Sequence, residues 1–146
     1  MSSVLLRKAH RPAATVTKET TVIDAVRIMA ERKVGAVVVE ENERAIGIFT
    51  ERDVMMKIVL HEKDSKTTRV GAVMTSPAIP IQADATIEQA LEIMHGRHIR
   101  HLPVVDAAGK VLGVVSMRHL MSDEIDELKK EVGALEAYAG LDTIGG

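Results

Sequence analysis

The chain has 146 residues, 46% of them apolar, with Phe49 and Tyr138 as its only aromatics and a formal net charge of -2 from 19 basic and 21 acidic side chains. Without cysteine, disulfides, thiolate catalysis and cysteine metal sites are excluded. The near-balanced charge supplies no field that would draw nucleic acid or an anionic membrane.

The core must therefore be aliphatic. At the start, Val4-Leu5-Leu6 is too short for a signal peptide or a membrane span, so a cytoplasmic protein is expected. The basic run Arg7-Lys8-Ala9-His10-Arg11 reads as a solvated terminus, too sparse for nucleic-acid binding. A weakly marked strand lies near residues 14–16. Val22, Ala25, Val26 and Met29 then recur at helical spacing. Two β-branched apolar runs follow, Val34 to Val39 and Ala45 to Phe49, separated by a polar turn, and they read as paired strands. Thr50 opens a second helix, with Val54, Met55, Ile58 and Val59 as its apolar face. His61 to Val70 is charged and threonine-rich, a linker or helix end.

The same order then repeats. A weak strand near residues 78–81 precedes a helix carrying Ile87, Ala90, Leu91 and Met94, then the runs Ile99 to Val105 and Val111 to Val115, then a helix opened by Ser116. A shift of 65 superposes Thr21 on Thr86, Ala25 on Ala90 and Met29 on Met94, and a shift of 66 superposes Gly47 on Gly113 and Arg52 on Arg118. The change of one residue places a single insertion in the turn between the paired strands. The chain is thus an α+β duplication, tandem βαββα repeats divided as 1–66, 67–122 and a tail 123–146. One repeat of roughly 55 residues is marginal alone, so the two are expected to pack sheet to sheet with the aliphatic strands between them. In the tail, Ile125, Leu128, Val132 and Leu135 form the narrow seam of an amphipathic helix, too short for a stable coiled coil and expected to pack on the module. Gly140 and Gly145-Gly146 are expected to end regular structure.

One phrase occurs twice: Gly47-Ile48-Phe49-Thr50-Glu51-Arg52-Asp53 and Gly113-Val114-Val115-Ser116-Met117-Arg118-His119. Thr50 followed three residues on by Asp53 is a capping box, and that alone explains the pair. Ser116 has no such acid, so capping is not a uniform demand of the fold. At a strand-to-helix junction, free backbone N–H groups also favour an anion, and a carboxylate there can accept both hydroxyls of a vicinal diol such as ribose.

Two βαββα copies with this phrase, together with Ile99-Arg100-His101-Leu102-Pro103-Val104-Val105-Asp106, resemble a tandem pair of cystathionine-β-synthase (CBS) domains over about Pro12 to Ser122. The resemblance implies a pseudo-twofold module (a Bateman module) with two inter-repeat clefts for adenine nucleotides such as AMP, ADP or ATP, for NAD(H), or for S-adenosyl compounds. It also implies a homodimer that signals to an effector protein. In the first cleft, Asp53 would hold ribose and Thr50 would approach phosphate. Val34-Gly35-Ala36 offers no cation there, so Arg52 would substitute, and Ala78, Ile79, Ile99 and the backbone of Arg100 would wall the adenine. In the second cleft, Ser116 and the pair Arg100-His101 would take phosphate against a wall of Ala14, Val34, Gly35 and Ala36. His119 stands where the ribose carboxylate belongs. Losing that charge-assisted hydrogen bond costs roughly 1.5–3 kcal/mol, about tenfold to a hundredfold in affinity, so this cleft should bind weakly, differently or not at all.

Competing functions have thinner support. Glu92 ahead of His95, with His98 and His101 following, has the spacing of a helical metal motif. The helix should end near Gly96, however, with His101 in a strand. Met29, Met55, Met56, Met94 and Met121 read as gap-fillers of an aromatic-poor core. No phosphate-binding loop, dinucleotide fingerprint or nucleophile elbow is present, so no enzyme is expected. The alternative is a structural dimerisation module without ligand, which His119 supports and Asp53 opposes. The sensor reading requires carboxylate 53 to point into an open groove between the repeats.

Overall fold

The structure, a computed structural model, describes residues 4–139. A short helix α1 (Val4–Arg7) leads into β1 (Thr15–Val16), α2 (Val22–Arg32), β2 (Ala36–Glu41), β3 (Arg44–Thr50) and α3 (Glu51–Asp53), which runs on as a π-helical segment Val54–Val59. The second repeat brings α4 (Val70–Val73), β4 (Ile81–Gln82), α5 (Ile87–Arg97), β5 (His101–Val105), β6 (Val111–Ser116) and α6 (Met117–Tyr138). The duplicated βαββα order is therefore present, with the strand pairs where the apolar runs put them.

Each repeat makes one three-stranded sheet, in orders β1-β2-β3 and β4-β5-β6. The first strand is parallel to the second (Thr15 opposite Val38, Ile81 opposite Val104), and the last two are antiparallel. Both antiparallel pairs shift register at the same point, after Val39 and after Val104. The hairpins differ where the insertion was placed. Asn42 and Glu43 both take positive φ, the geometry of a tight hairpin turn. The longer second turn is held by Asp106, whose carboxylate accepts from the N–H groups of Ala108 and Lys110 at 2.9 Å. Both first helices begin on threonine caps, Thr21 and Thr86, and end on left-handed residues, Lys33 and His98.

The core is not one layer between the sheets. Each sheet packs its own cluster against its helices: Val37, Val39, Phe49, Val22, Ala25 and Met29 in the first, Leu102, Val104, Val115, Ala90, Met94 and Leu120 in the second. The reason is that β2 and β5 are buried on both faces. Ala36 and Val38 alternate with Val37 and Val39, and their face looks toward the other repeat.

The leading segments are exchanged. Leu5 of α1 is fully buried in the second repeat's cluster, and Val70 and Val73 of α4 complete the first. The exchange continues in main-chain pairing. His10 and Val114 trade hydrogen bonds at 2.8 and 3.2 Å, as do Thr75 and Ile48 at 2.9 Å each. The two signature glycines make this close approach possible. A Cβ on Gly113 would meet the His10 carbonyl oxygen at 2.8 Å, and one on Gly47 would meet the Thr75 carbonyl oxygen at 3.0 Å.

Several apolar side chains lie elsewhere than their spacing suggested. Met55 and Val59 are exposed, and Met56 and Met121 are too, so only Met29 and Met94 of the five methionines fill the core. The tail is one continuous helix with the second repeat's last helix, and it projects. Ile125, Leu128, Val132 and Leu135 are 49 to 67% exposed, so the seam does not pack on the module. The helix runs too far past Leu120, its last buried residue, for the sheet to reach it. Gly140 and Gly145-Gly146 lie outside the described residues.

Candidate functional site

The inter-repeat surface holds two cavities. The first, about 380 Å³, lies between the β3–α3 junction and the segment leading into β5. Thr50, Arg52 and Asp53 line it with Ile48 and Glu51, and Ile99, Arg100, His101 and His98 face them with Thr75. Ala78 and Ile79 do not line it. Ile79 packs against the second core, so the adenine wall expected there is reduced to Ile99 and Arg100.

Asp53 is buried and turned back onto its own helix. Its Oδ2 accepts from the Thr50 N–H at 3.0 Å, and the Thr50 hydroxyl accepts from the Asp53 N–H at 3.1 Å, so the capping box is real. Its Oδ1 lies 3.3 Å from Lys57 Nζ and accepts from the Thr75 hydroxyl at 3.3 Å. Lys57 also donates to the Val73 carbonyl at 2.8 Å, which fixes the ammonium. The groove in front of the carboxylate is open rather than filled by aliphatics. A carboxylate offers about four lone-pair sites. Capping uses one, and the Thr75 hydroxyl can turn away from another.

The second cavity is larger, about 500 Å³. Ser116, His119, Arg100 and His101 line it, with Ala14, Val34, Gly35 and Ala36 as the wall, so the residues assigned to this cleft come together as expected. Arg100 lines both cavities, as assigned, and His101 does too rather than this one alone. His10, Lys33, Glu51 and Arg118 complete it, and the expected site lacked all four. Arg118 could have been found by shifting Arg52 through the repeat, whereas Lys33 corresponds to His98, which the expected site also lacked. His10 required knowledge of the exchanged leading segment.

The two helix mouths place their carboxylate differently. Asp53 pairs with Lys57, and one repeat later His119 pairs with Asp123 at 3.5 Å from Nε2 to Oδ2. Thr75, which serves Asp53, is replaced by His10, whose ring centroid lies 5.7 Å from that of His119. Ser116 accepts from the His119 N–H at 3.2 Å, half a capping box. The lining charges follow. Arg52 and Arg100 offset Glu51 and Asp53 in the first cavity, whereas Lys33, Arg100 and Arg118 outnumber Glu51 in the second. Burial pushes His101 down to about 4, helped by His10 and Arg100. His10 is lowered by burial and by His119 and Arg32.

No group of three or more metal-ligating side chains is assembled among the described residues. No helix among them is long and apolar enough to cross a membrane.

A family model described as "CBS domain" matches twice, over residues 5–60 and 70–125. A curated relative, the mitochondrial CBS domain-containing protein CBSX3 of Arabidopsis thaliana, is 35% identical over 84% of this chain, which spans 61% of that protein's length. Among solved structures, a protein with CBS domains from Burkholderia ambifaria superposes with a TM-score of 0.77 at 33% identity, covering 99% of this chain and all of the other. A CBS domain protein of Pyrobaculum aerophilum, solved in complex with AMP, superposes with a TM-score of 0.72 at 24% identity, over 78% of this chain and 87% of that one.

Proposed function

The chain belongs to the CBS domain family, and we propose on that premise that it is a regulatory module which binds an adenine nucleotide in its first inter-repeat cavity. The observation that carries the reading is the position of Asp53 and Thr50 at the wall of an open cavity shared by both repeats. The ribose hydroxyls would donate to Asp53, displacing the Thr75 hydroxyl. Arg52 and Arg100 would meet the phosphate, and Ile99 would lie against the base. The AMP complex of a protein with the same fold supports an adenosyl ligand. The module is a binding unit rather than an enzyme, acting in the cytoplasm through an effector protein. Its output would travel by a shift between arrangements of a homodimer, no larger than the ligand's preference for one of them. The exposed seam of α6 is the surface that a second copy would cover.

A melting screen with AMP, ADP, ATP, NAD(H), S-adenosylmethionine and divalent metals tests this. A ligand at a hundred times its Kd adds about 2.7 kcal/mol. We expect a nucleotide shift in the wild type that disappears in Asp53→Ala. The capped state of Asp53 favours one other reading, a ligand-free dimerisation module, and a screen without any nucleotide shift would establish it.

A further inference from the structure

We infer that the second cavity is a separate site for a compact oligophosphate anion, one that needs neither ribose nor base and takes up protons when it binds. This inference rests on that cavity's own lining and not on the nucleotide reading of the first.

The ligand class follows from what the walls offer. Lys33, Arg100 and Arg118 are fixed cations, against the single carboxylate of Glu51. The α6 N-terminus lies at the same wall, where Ser116 caps it and the free N–H groups favour negative charge. No carboxylate lines this cavity at the helix mouth, since His119 occupies the position of Asp53. The helix mouth itself therefore offers no acceptor pair for a diol, while phosphoryl oxygens find donors on several sides. A volume of about 500 Å³ leaves room for a short condensed phosphate.

The proton linkage follows from three imidazoles that share the cavity with those cations. His10, on the exchanged leading segment, and His119, on α6, lie ring to ring at 5.7 Å. His101 enters from β5, and a Cβ on Gly35 would sit 3.4 Å from its Nε2 and 3.1 Å from Glu51 Oε1. The surrounding charges are mostly positive. Arg32 acts on His10 and Arg100 on His101. Asp123 faces His119 but is shared with Lys8 at 3.1 Å. Without an anion, burial first and the neighbouring positive groups second hold His10 and His101 below their ordinary value. An anion reverses the sign of that field, raises their affinity for protons and makes each a second donor. Binding must then strengthen as pH falls.

Trimetaphosphate is a suitable probe, because its charge stays constant between pH 5 and 8. Isothermal titration at pH 7.5 and 5.5 should show binding that tightens at least tenfold at the lower pH. At one pH, buffers of different ionisation enthalpy should reveal proton uptake by the wild type. Arg118→Ala should weaken binding at least tenfold at both pH values. His10→Gln with His101→Gln should bind but lose most of the pH dependence. Asp53→Ala should bind trimetaphosphate like the wild type, which keeps this result independent of the nucleotide screen. Absence of binding, binding with the same affinity at both pH values, or binding untouched by Arg118→Ala would overturn the inference.

Discussion

The first helix mouth presents Asp53 with Lys57 and Thr75; the second, one repeat later, presents His119 with Asp123 and His10. The backbones correspond, including the register shift, the hydroxyl cap and the main-chain pairing of the exchanged segment. The scaffold was duplicated, but the carboxylate sits at the helix start in the first mouth and one turn later, at Asp123, in the second, and with that the chemistry each cleft offers differs. A carboxylate accepts hydroxyls, whereas an imidazole among cations awaits an anion.

The largest effect should come from the scaffold that both mouths share. Leu5 belongs in sequence to the first repeat but is fully buried in the second repeat's core. Leu5→Ala should cost about 2–5 kcal/mol, read as a fall in Tm on the order of 10 °C. An unchanged Tm would refute the exchange of leading segments.

Next comes acid sensitivity, which should centre on His101 at the wall shared by both cavities. His101 is held at about 4 when folded, against 6.5 when unfolded, so the unfolded chain binds the extra proton between those values. Stability should be full above pH 6.5 and fall as the pH drops toward 4, by up to about 3 kcal/mol. His101→Gln should flatten that slope in urea melts. A slope that survives the substitution would assign the acid sensitivity to other groups.

Asp53→Asn sharpens the comparison at the first mouth. The amide can still accept from the Thr50 N–H, so the fold should hold. Nucleotide affinity should fall about tenfold to a hundredfold through loss of a charge-assisted bond. The smallest effect belongs to Lys57→Ala, which removes an ion pair whose lysine is 37% exposed and should cost about 1 kcal/mol. In that variant the Thr50–Asp53 cap should persist, visible as retained amide protection at Asp53.

Much of this was legible in the residues. The repeat shift located the paired strands, the turn insertion and both signature phrases, because strand alternation and helix caps are local signals. That Ala14, Val34, Gly35 and Ala36 meet at one cavity was implied by the family resemblance rather than by local signals. The exchange of α1 and α4 was not legible. Nothing in Val4-Leu5-Leu6 says which core will bury it, and the choice depends on a close approach across Gly113 that only tertiary structure reveals. His10 was hidden with it and read as part of a solvated terminus. Helical periodicity also overstated burial. Met55, Val59 and the α6 seam repeat correctly, but no surface among the described residues covers them.

The central claim is that the side chain at the helix mouth selects the ligand. Exchanging the pair (His119→Asp with Asp123→Lys) gives the second mouth the pattern of the first, and AMP stoichiometry reads the result. Calorimetric titration should find one equivalent of AMP per chain in the wild type and two in the exchanged variant. One equivalent in both, in a variant that melts like the wild type, would contradict the account.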